Sequence, residues 1–233
     1  MMEKKVYLNR PEIIRAISLI KEKGEVFELR VLKGSKVWSA YFDDAEIAVN
    51  ELEKLNLEGA NEYITPQRLH EGCRARLQWN RFIEVGKDKI PTTSDSDVIA
   101  YKYLLIDLDP VRPSGISSNE EELKSAMEIK ELIVRYMAAQ GMKSYIFAFS
   151  GNSYHLLYPI DYPKNEESVE KVKIWLNRLD ELFSTDECHV DVKNCNPSRI
   201  FKLYGTLAQK GRDTESRPHR MSKLLEVVDG SDN

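Results

Sequence analysis

Apolar residues recur three and four apart at Ile13, Ile14, Ile17 and Ile20 behind Pro11. That spacing predicts a helix opening at the proline, with Gly24 as its C-terminal cap. The rhythm then shortens to that of strands. Residues 25–32 and 36–42 are β-rich runs parted by Lys33-Gly34-Ser35, a hairpin signal. Asp43 or Asp44 caps a second helix with Ile47, Ala48, Leu52 and Leu55 on one face, and a short strand follows near residues 62–65.

From Thr92 a polar loop, residues 92–97, leads into the apolar run Tyr103-Leu104-Leu105-Ile106, which ends in Asp107-Leu108-Asp109-Pro110. Ser117-Ser118-Asn119 before a run of glutamates opens a helix to about Gln140, with Gly141 as its cap. Residues 144–149 and 154–160 read as strands about the tight Gly151-Asn152-Ser153 turn. A helix over 166–183 uses Val169, Val172, Ile174, Trp175, Leu179 and Leu182. Residues 190–192 and 199–204 are two more short strands. Strands and helices mixed with hairpins predict an α+β fold rather than a doubly wound parallel sheet.

Composition narrows the class. The 233 residues carry 34 Lys+Arg against 38 Asp+Glu, a net charge of −4, which excludes a uniformly basic nucleic-acid coat but not a local basic groove. No run of ~18 apolar residues occurs, so a membrane span is not expected. The opening residues 1–5 lead straight into the amphipathic pattern with no secretory signal, and the three scattered cysteines suit a reducing, cytoplasmic setting. The polar end, residues 229–233, reads as a tail or a truncation point.

The chemistry-bearing residues come in an ordered set. Asp107 and Asp109 stand two apart at a strand end, so both carboxylates emerge on one face, where mutual repulsion invites a cation. Asp191, between Val190 and Val192, is the natural third ligand, pointing away from those two apolar side chains. Three carboxylates suit two Mg²⁺ or Mn²⁺ ions in a phosphoryl displacement. In Ser150-Gly-Asn152-Ser153-Tyr-His155, Gly151 lets successive backbone N–H groups form an anion-binding concavity, while Ser153 and His155 share a face. Between Lys193 and Lys223, eight basic residues face only two acids. Arg199 and Lys202 among them are in reach of phosphates, and the loop-like Lys210, Arg212, Arg217 and Arg220 could track a nucleic-acid backbone. A weaker basic patch joins Arg68, Arg74, Arg76 and Arg81 with Trp79 and Phe82. A zinc site from Cys188, His189, Cys195 and His219 is disfavoured because the paired Cys-x-x-Cys spacing is missing.

Leu-Leu-Ile-Asp107-Leu-Asp109, then Ser150-Gly-Asn-Ser153-Tyr-His155-Leu, then Val-Asp191 followed by Asn-Pro-Ser-Arg199-Ile-Phe-Lys202-Leu-Tyr-Gly-Thr resembles the archaeo-eukaryotic primase superfamily, most closely its primase-polymerase branch of plasmids, phages and CRISPR-associated genes. Any one of these motifs is weak; the ordered set is specific. The resemblance implies a catalytic core of two fused α/β units, over about 1–90 and 91–228, the second with a sheet like that of an RNA-recognition motif and the site in the cleft between them. It implies that Asp107, Asp109 and Asp191 hold two divalent metals, and that Ser153 and His155, with Asn152, Arg199, Lys202 and Lys210, grip the triphosphate of an NTP or dNTP. Single-stranded DNA template and primer would be the partners, with a helicase or CRISPR adaptation proteins beyond them. Tyr154 and Tyr204 are the candidates for sensing the sugar 2′ position. No zinc knuckle or helicase motif is present, so the likeness covers the catalytic core and points to primer extension before de novo priming. A metal-dependent nuclease and a non-catalytic single-strand-binding replication-initiation module are the competing readings.

Overall fold

Apolar side chains on both faces of one strand force the chain to cover both faces of the sheet built on it. A computed structural model describes residues 7–76, 78–86 and 92–230. The opening residues 1–5 and the last three residues of the polar end lie outside the described residues. In chain order the elements are α1 (Arg10–Ile20), β1 (Phe27–Lys33), β2 (Lys36–Phe42), α2 (Ala45–Leu55), β3 (Asn61–Ile64), β4 (Arg68–Leu69), β5 (Ile83–Glu84), β6 (Val98–Pro110), α3 (Glu120–Ala139), β7 (Tyr145–Phe149), β8 (Tyr154–Pro163), α4 (Glu166–Phe183), β9 (Cys188–Val190), β10 (Phe201–Lys202), β11 (Leu207–Ala208), β12 (Arg220–Met221) and β13 (Lys223–Val228). The expected α+β class holds. Among the described residues no helix is long and apolar enough to cross a membrane.

Two antiparallel sheets organise the chain. The first runs β10-β3-β1-β2-β5; the second runs β13-β7-β8-β6-β4, with β9 also paired to β6. The sheets exchange strands, since β10 closes an edge of the first and the early strand β4 pairs with β6 of the second. β6 is the spine. Its Tyr103 and Leu105 enter a core shared with α1, α2 and the first sheet, whereas Leu104, Ile106 and Leu108 enter a second core under α3 and α4. Period-2 alternation thus feeds two apolar layers from one strand.

Local chemistry sets the element ends. Asp44 caps α2 by accepting from Ile47 N at 3.0 Å. Asn119 and Glu122 close a reciprocal capping box on α3, both bonds at 2.8 Å. Several expectations are corrected. α1 ends at Ile20 with an extended Lys21, and Gly24 (φ 81°) serves the turn beyond it instead. Ile47 faces solvent on α2 while Val49 is buried, and on α4 Ile174 and Leu182 face out while Leu176 is buried. The strand read over 190–192 stops at Val190, and that over 199–204 shrinks to two residues.

Gly205 is a contact that allows no side chain. It sits at φ 93°, and a Cβ there would lie 2.7 Å from Ile13 N and 3.1 Å from Asn9 O, inside the first turn of α1. Its carbonyl also accepts from Asn9 N at 2.7 Å. Gly205→Ala should therefore cost about 2 kcal/mol through strain and the displaced helix start, a fall in Tm of roughly 4–8 °C. Thermal unfolding followed by circular dichroism checks this; an unchanged Tm would show that α1 moves aside freely.

Candidate active site

Asp107 on β6 stands directly opposite His155 on β8 in the strand register. Both share the face of their neighbours Leu105 and Leu157, so they emerge where the first apolar core ends. A cleft of about 380 Å³ opens there, walled on the far side by Tyr63, Phe201 and Lys202 of the first sheet. All nine residues singled out from the sequence line it: Asp107, Asp109, Asn152, Ser153, His155, Asp191, Arg199, Lys202 and Lys210.

The carboxylates differ in their surroundings. Burial pushes the Asp107 carboxyl above its usual range, with His155 opposing and Asp109 adding to the shift. Its Oδ1 is buried without a hydrogen bond, the nearest cation-forming group being His155 Nε2 at 3.5 Å. Asp109 pairs with Arg112 at 2.8 Å, and Asp191 with Arg199 at 2.8 Å. Asp191 is not within the strand as expected. It follows β9, caps a short 3₁₀ turn through Lys193 N, and donates its own N–H to Asp107 O at 3.0 Å. The donor set is all-oxygen and includes an orphaned buried oxygen, a chemistry that fits Mg²⁺ or Mn²⁺. Among the described residues, no three His, Cys, Asp or Glu side chains converge on one point as arranged.

The turn ahead of β8 departs from the expected anion concavity. The N–H groups of Asn152 and Ser153 both point at Ser150 Oγ, at 3.3 and 2.9 Å, so they are spent inside the turn. Asn152 Oδ1 accepts from Ser118 N at 3.0 Å, which ties the turn to the start of α3. Gly151 (φ 96°) is needed for close approach: a Cβ there would meet Ala208 Cβ at 2.3 Å and Arg220 O at 2.9 Å. Neither of the candidate tyrosines lines the cleft. Tyr154 faces the other layer against Phe147 and Phe149, and Tyr204 is fully buried with its hydroxyl 2.9 Å from His155 Nδ1.

No protein-family model matches the chain, and no curated protein does. Solved structures do. Primase RepB′ superposes on 94% of this chain with a TM-score of 0.51 at 13% identity, the chain spanning 56% of its length. The catalytic domain of primase RepB′, in complex with initiator DNA, superposes on 92% of the chain and 85% of that domain, with a TM-score of 0.50 at 14% identity. The chain has the fold of primase RepB′. Identity this low establishes the fold and leaves the chemistry to the site.

Within this fold part of the expected basic groove is spent on ion pairs. Arg217 forks onto Glu122 at 2.8 and 2.6 Å, and Arg220 pairs with Glu120, both at the start of α3. Arg68, Arg74 and Arg76 of the second patch pair with Asp161, Asp43 and Asp97, with Arg74 and Arg76 stacked over Trp79 and Tyr41. Cys188 is a core thiol that burial pushes up to about 12, and His219 Nε2 lies 3.0 Å from Gly211 O. Lys210 is exposed at the cleft mouth, and Arg199 and Arg112 pair with the cleft carboxylates Asp191 and Asp109.

Two residues around the site were not singled out from the sequence. Arg112 had a signal, a cation three places beyond Asp109. Glu62 had a fainter one, an acid alternating with buried neighbours. It pairs with Lys202 Nζ at 3.2 Å deep in the cleft wall, where Lys202 also donates to Leu207 O at 3.0 Å. Burial lowers the proton affinity of the Lys202 ammonium against the pull of Glu62. Lys202→Met would strand a buried carboxylate and should destabilise by about 3 kcal/mol. Adding Glu62→Leu should recover roughly half of that, as coupled partners do. Urea unfolding of both single variants and the double decides; losses that simply add would mean the pair is not coupled.

Proposed function

We propose that the chain is a primase-polymerase core that transfers nucleotidyl groups from an NTP or dNTP to a 3′-hydroxyl on a single-stranded DNA template, releasing pyrophosphate. The observation that carries this reading is the register pair Asp107–His155 at the floor of a cleft that also takes Asp109, Ser153, Asp191 and Arg199. The primase fold supports it. Asp107, Asp109 and Asp191 would hold divalent ions, Mg²⁺ or Mn²⁺. Bound there, such ions would acidify the attacking hydroxyl and neutralise negative charge on the phosphates.

The chain's own side chains supply the rest. His155 and Ser153 face the cleft from β8 and its turn, and there they bind a phosphate through N–H and O–H donors. Arg199 swings from Asp191 to the triphosphate, where a planar guanidinium meets phosphate oxygens in a bidentate fork. That exchange exposes the Asp191 carboxylate as the nucleotide arrives. Lys210 at the mouth adds positive charge where the leaving group departs. Lys202 acts through the wall: it holds β10 to β3 and keeps Phe201 against the His155 ring.

Nucleotide incorporation on single-stranded DNA, with and without primer and in Mg²⁺ or Mn²⁺, tests this reading. Metal-dependent products are expected from the native chain and none from the Asp107→Ala, Asp109→Ala double variant, with circular dichroism unchanged. Products without primer would make it a primase. Strand shortening in place of extension would make it a nuclease, and tight single-strand binding with no incorporation by either protein would make it a binding module. Asp191→Ala should likewise abolish turnover while remaining folded. His155→Ala should raise the KM for nucleotide about tenfold, the loss of roughly one charge-assisted hydrogen bond. An unchanged KM would remove His155 from the phosphate site.

A further inference from the structure

We propose that Tyr204 is a positioning residue that fixes His155 as its Nε2–H tautomer, so that the ring presents a neutral N–H donor to an anion in the cleft. The second half of this statement rests on the nucleotide reading above; the first half does not. The Tyr204 hydroxyl is fully buried, 2.9 Å from His155 Nδ1, and among the described residues it makes no other hydrogen bond. Its ring is held on two sides, with the Phe201 ring centred 5.6 Å away and the His155 ring 5.8 Å away.

A buried phenol must place its proton on an acceptor or leave it orphaned. Here the sole acceptor in reach is Nδ1, which can accept only when it carries no hydrogen. The other end of the ring agrees. Nε2 lies 3.5 Å from Asp107 Oδ1, a buried carboxylate oxygen with no hydrogen bond of its own. A bare Nε2 lone pair aimed at that oxygen would be repelled, whereas an Nε2–H is attracted. Both neighbours therefore select the same tautomer, one by accepting a proton's charge and one by donating a proton. The arrangement gives the cleft a hydrogen-bond donor that adds no positive charge beside the carboxylates.

The measurement is a long-range proton–nitrogen correlation spectrum of the intact chain labelled at its four histidines. It is recorded at about pH 8.5, two units above the ordinary imidazole pKa of ~6.5. His155 is assigned by the signal lost in His155→Gln. A single Nε2–H pattern is expected for the native chain, and a mixture of tautomers in Tyr204→Phe, which keeps the ring and removes the hydroxyl. Isothermal titration with a nucleoside triphosphate should then show affinity about twofold weaker in Tyr204→Phe, with Tyr154→Phe unchanged, as expected when about half of the molecules carry the wrong tautomer. A native spectrum showing Nδ1–H or a mixture overturns the proposal, and needs no variant to fold. An unaltered His155 pattern or an unaltered affinity in Tyr204→Phe overturns it too. An Nε2–H native spectrum without any nucleotide binding would uphold the Tyr204 assignment and remove the nucleotide reading.

Discussion

The antiparallel pairing of β6 with β8, held between two apolar layers, is the constraint on which the cleft depends. Leu104, Ile106 and Leu108 anchor one face of β6 under α3 and α4, while Tyr103 and Leu105 anchor the other against α1 and the first sheet. A slip of one residue would turn every buried side chain to the wrong layer, so the register is strongly specified. Asp107 and His155 inherit that precision. They are the first positions on the shared face that lie beyond the apolar packing, and they meet because Leu105 and Leu157 meet two residues earlier.

Charge is arranged around this pair with little surplus. The chain has four more acids than bases, and most of its arginines are tied to carboxylates that brace loops and helix starts: Arg217 to Glu122, Arg76 to Asp97, Arg74 to Asp43. Pairs of this kind are partly exposed and worth little individually. Their effect is geometric, since they pin the segments that border the cleft. Arg112 and Arg199 differ because their partners, Asp109 and Asp191, face the cleft. Unpaired, three carboxylates in one concavity would repel; the two arginines relieve that repulsion. Burial adds to the pressure at Asp107, whose carboxyl is shifted upward by lost hydration before any neighbour is counted.

Much of this was legible in the residues alone. The hairpin at Lys33-Gly34-Ser35, the caps at Asp44 and Asn119 and the helix over 166–183 follow from short-range physics that acts within a few residues. The members of the cleft were legible as well, because Asp-x-Asp after an apolar strand and Ser-x-His after a glycine turn are local patterns. What the local patterns misjudged was partnership. The N–H groups of the Gly151 turn look available from sequence, yet Ser150 takes them; Arg217 and Arg220 look like a groove, yet α3 takes them.

The sequence by itself determined the order of elements, the α+β class and the set of polar side chains carried at strand ends, since periodicity and turn chemistry are properties of neighbours in the chain. Only the tertiary structure decided that β10 would join the first sheet and carry Lys202 to Glu62, 140 residues earlier. It alone brought Tyr204 behind His155, 49 residues apart, and buried a residue the sequence offers as a candidate for the sugar 2′ position. Pairings at such separations are chosen by which apolar faces can be covered together, and no window along the chain contains that information.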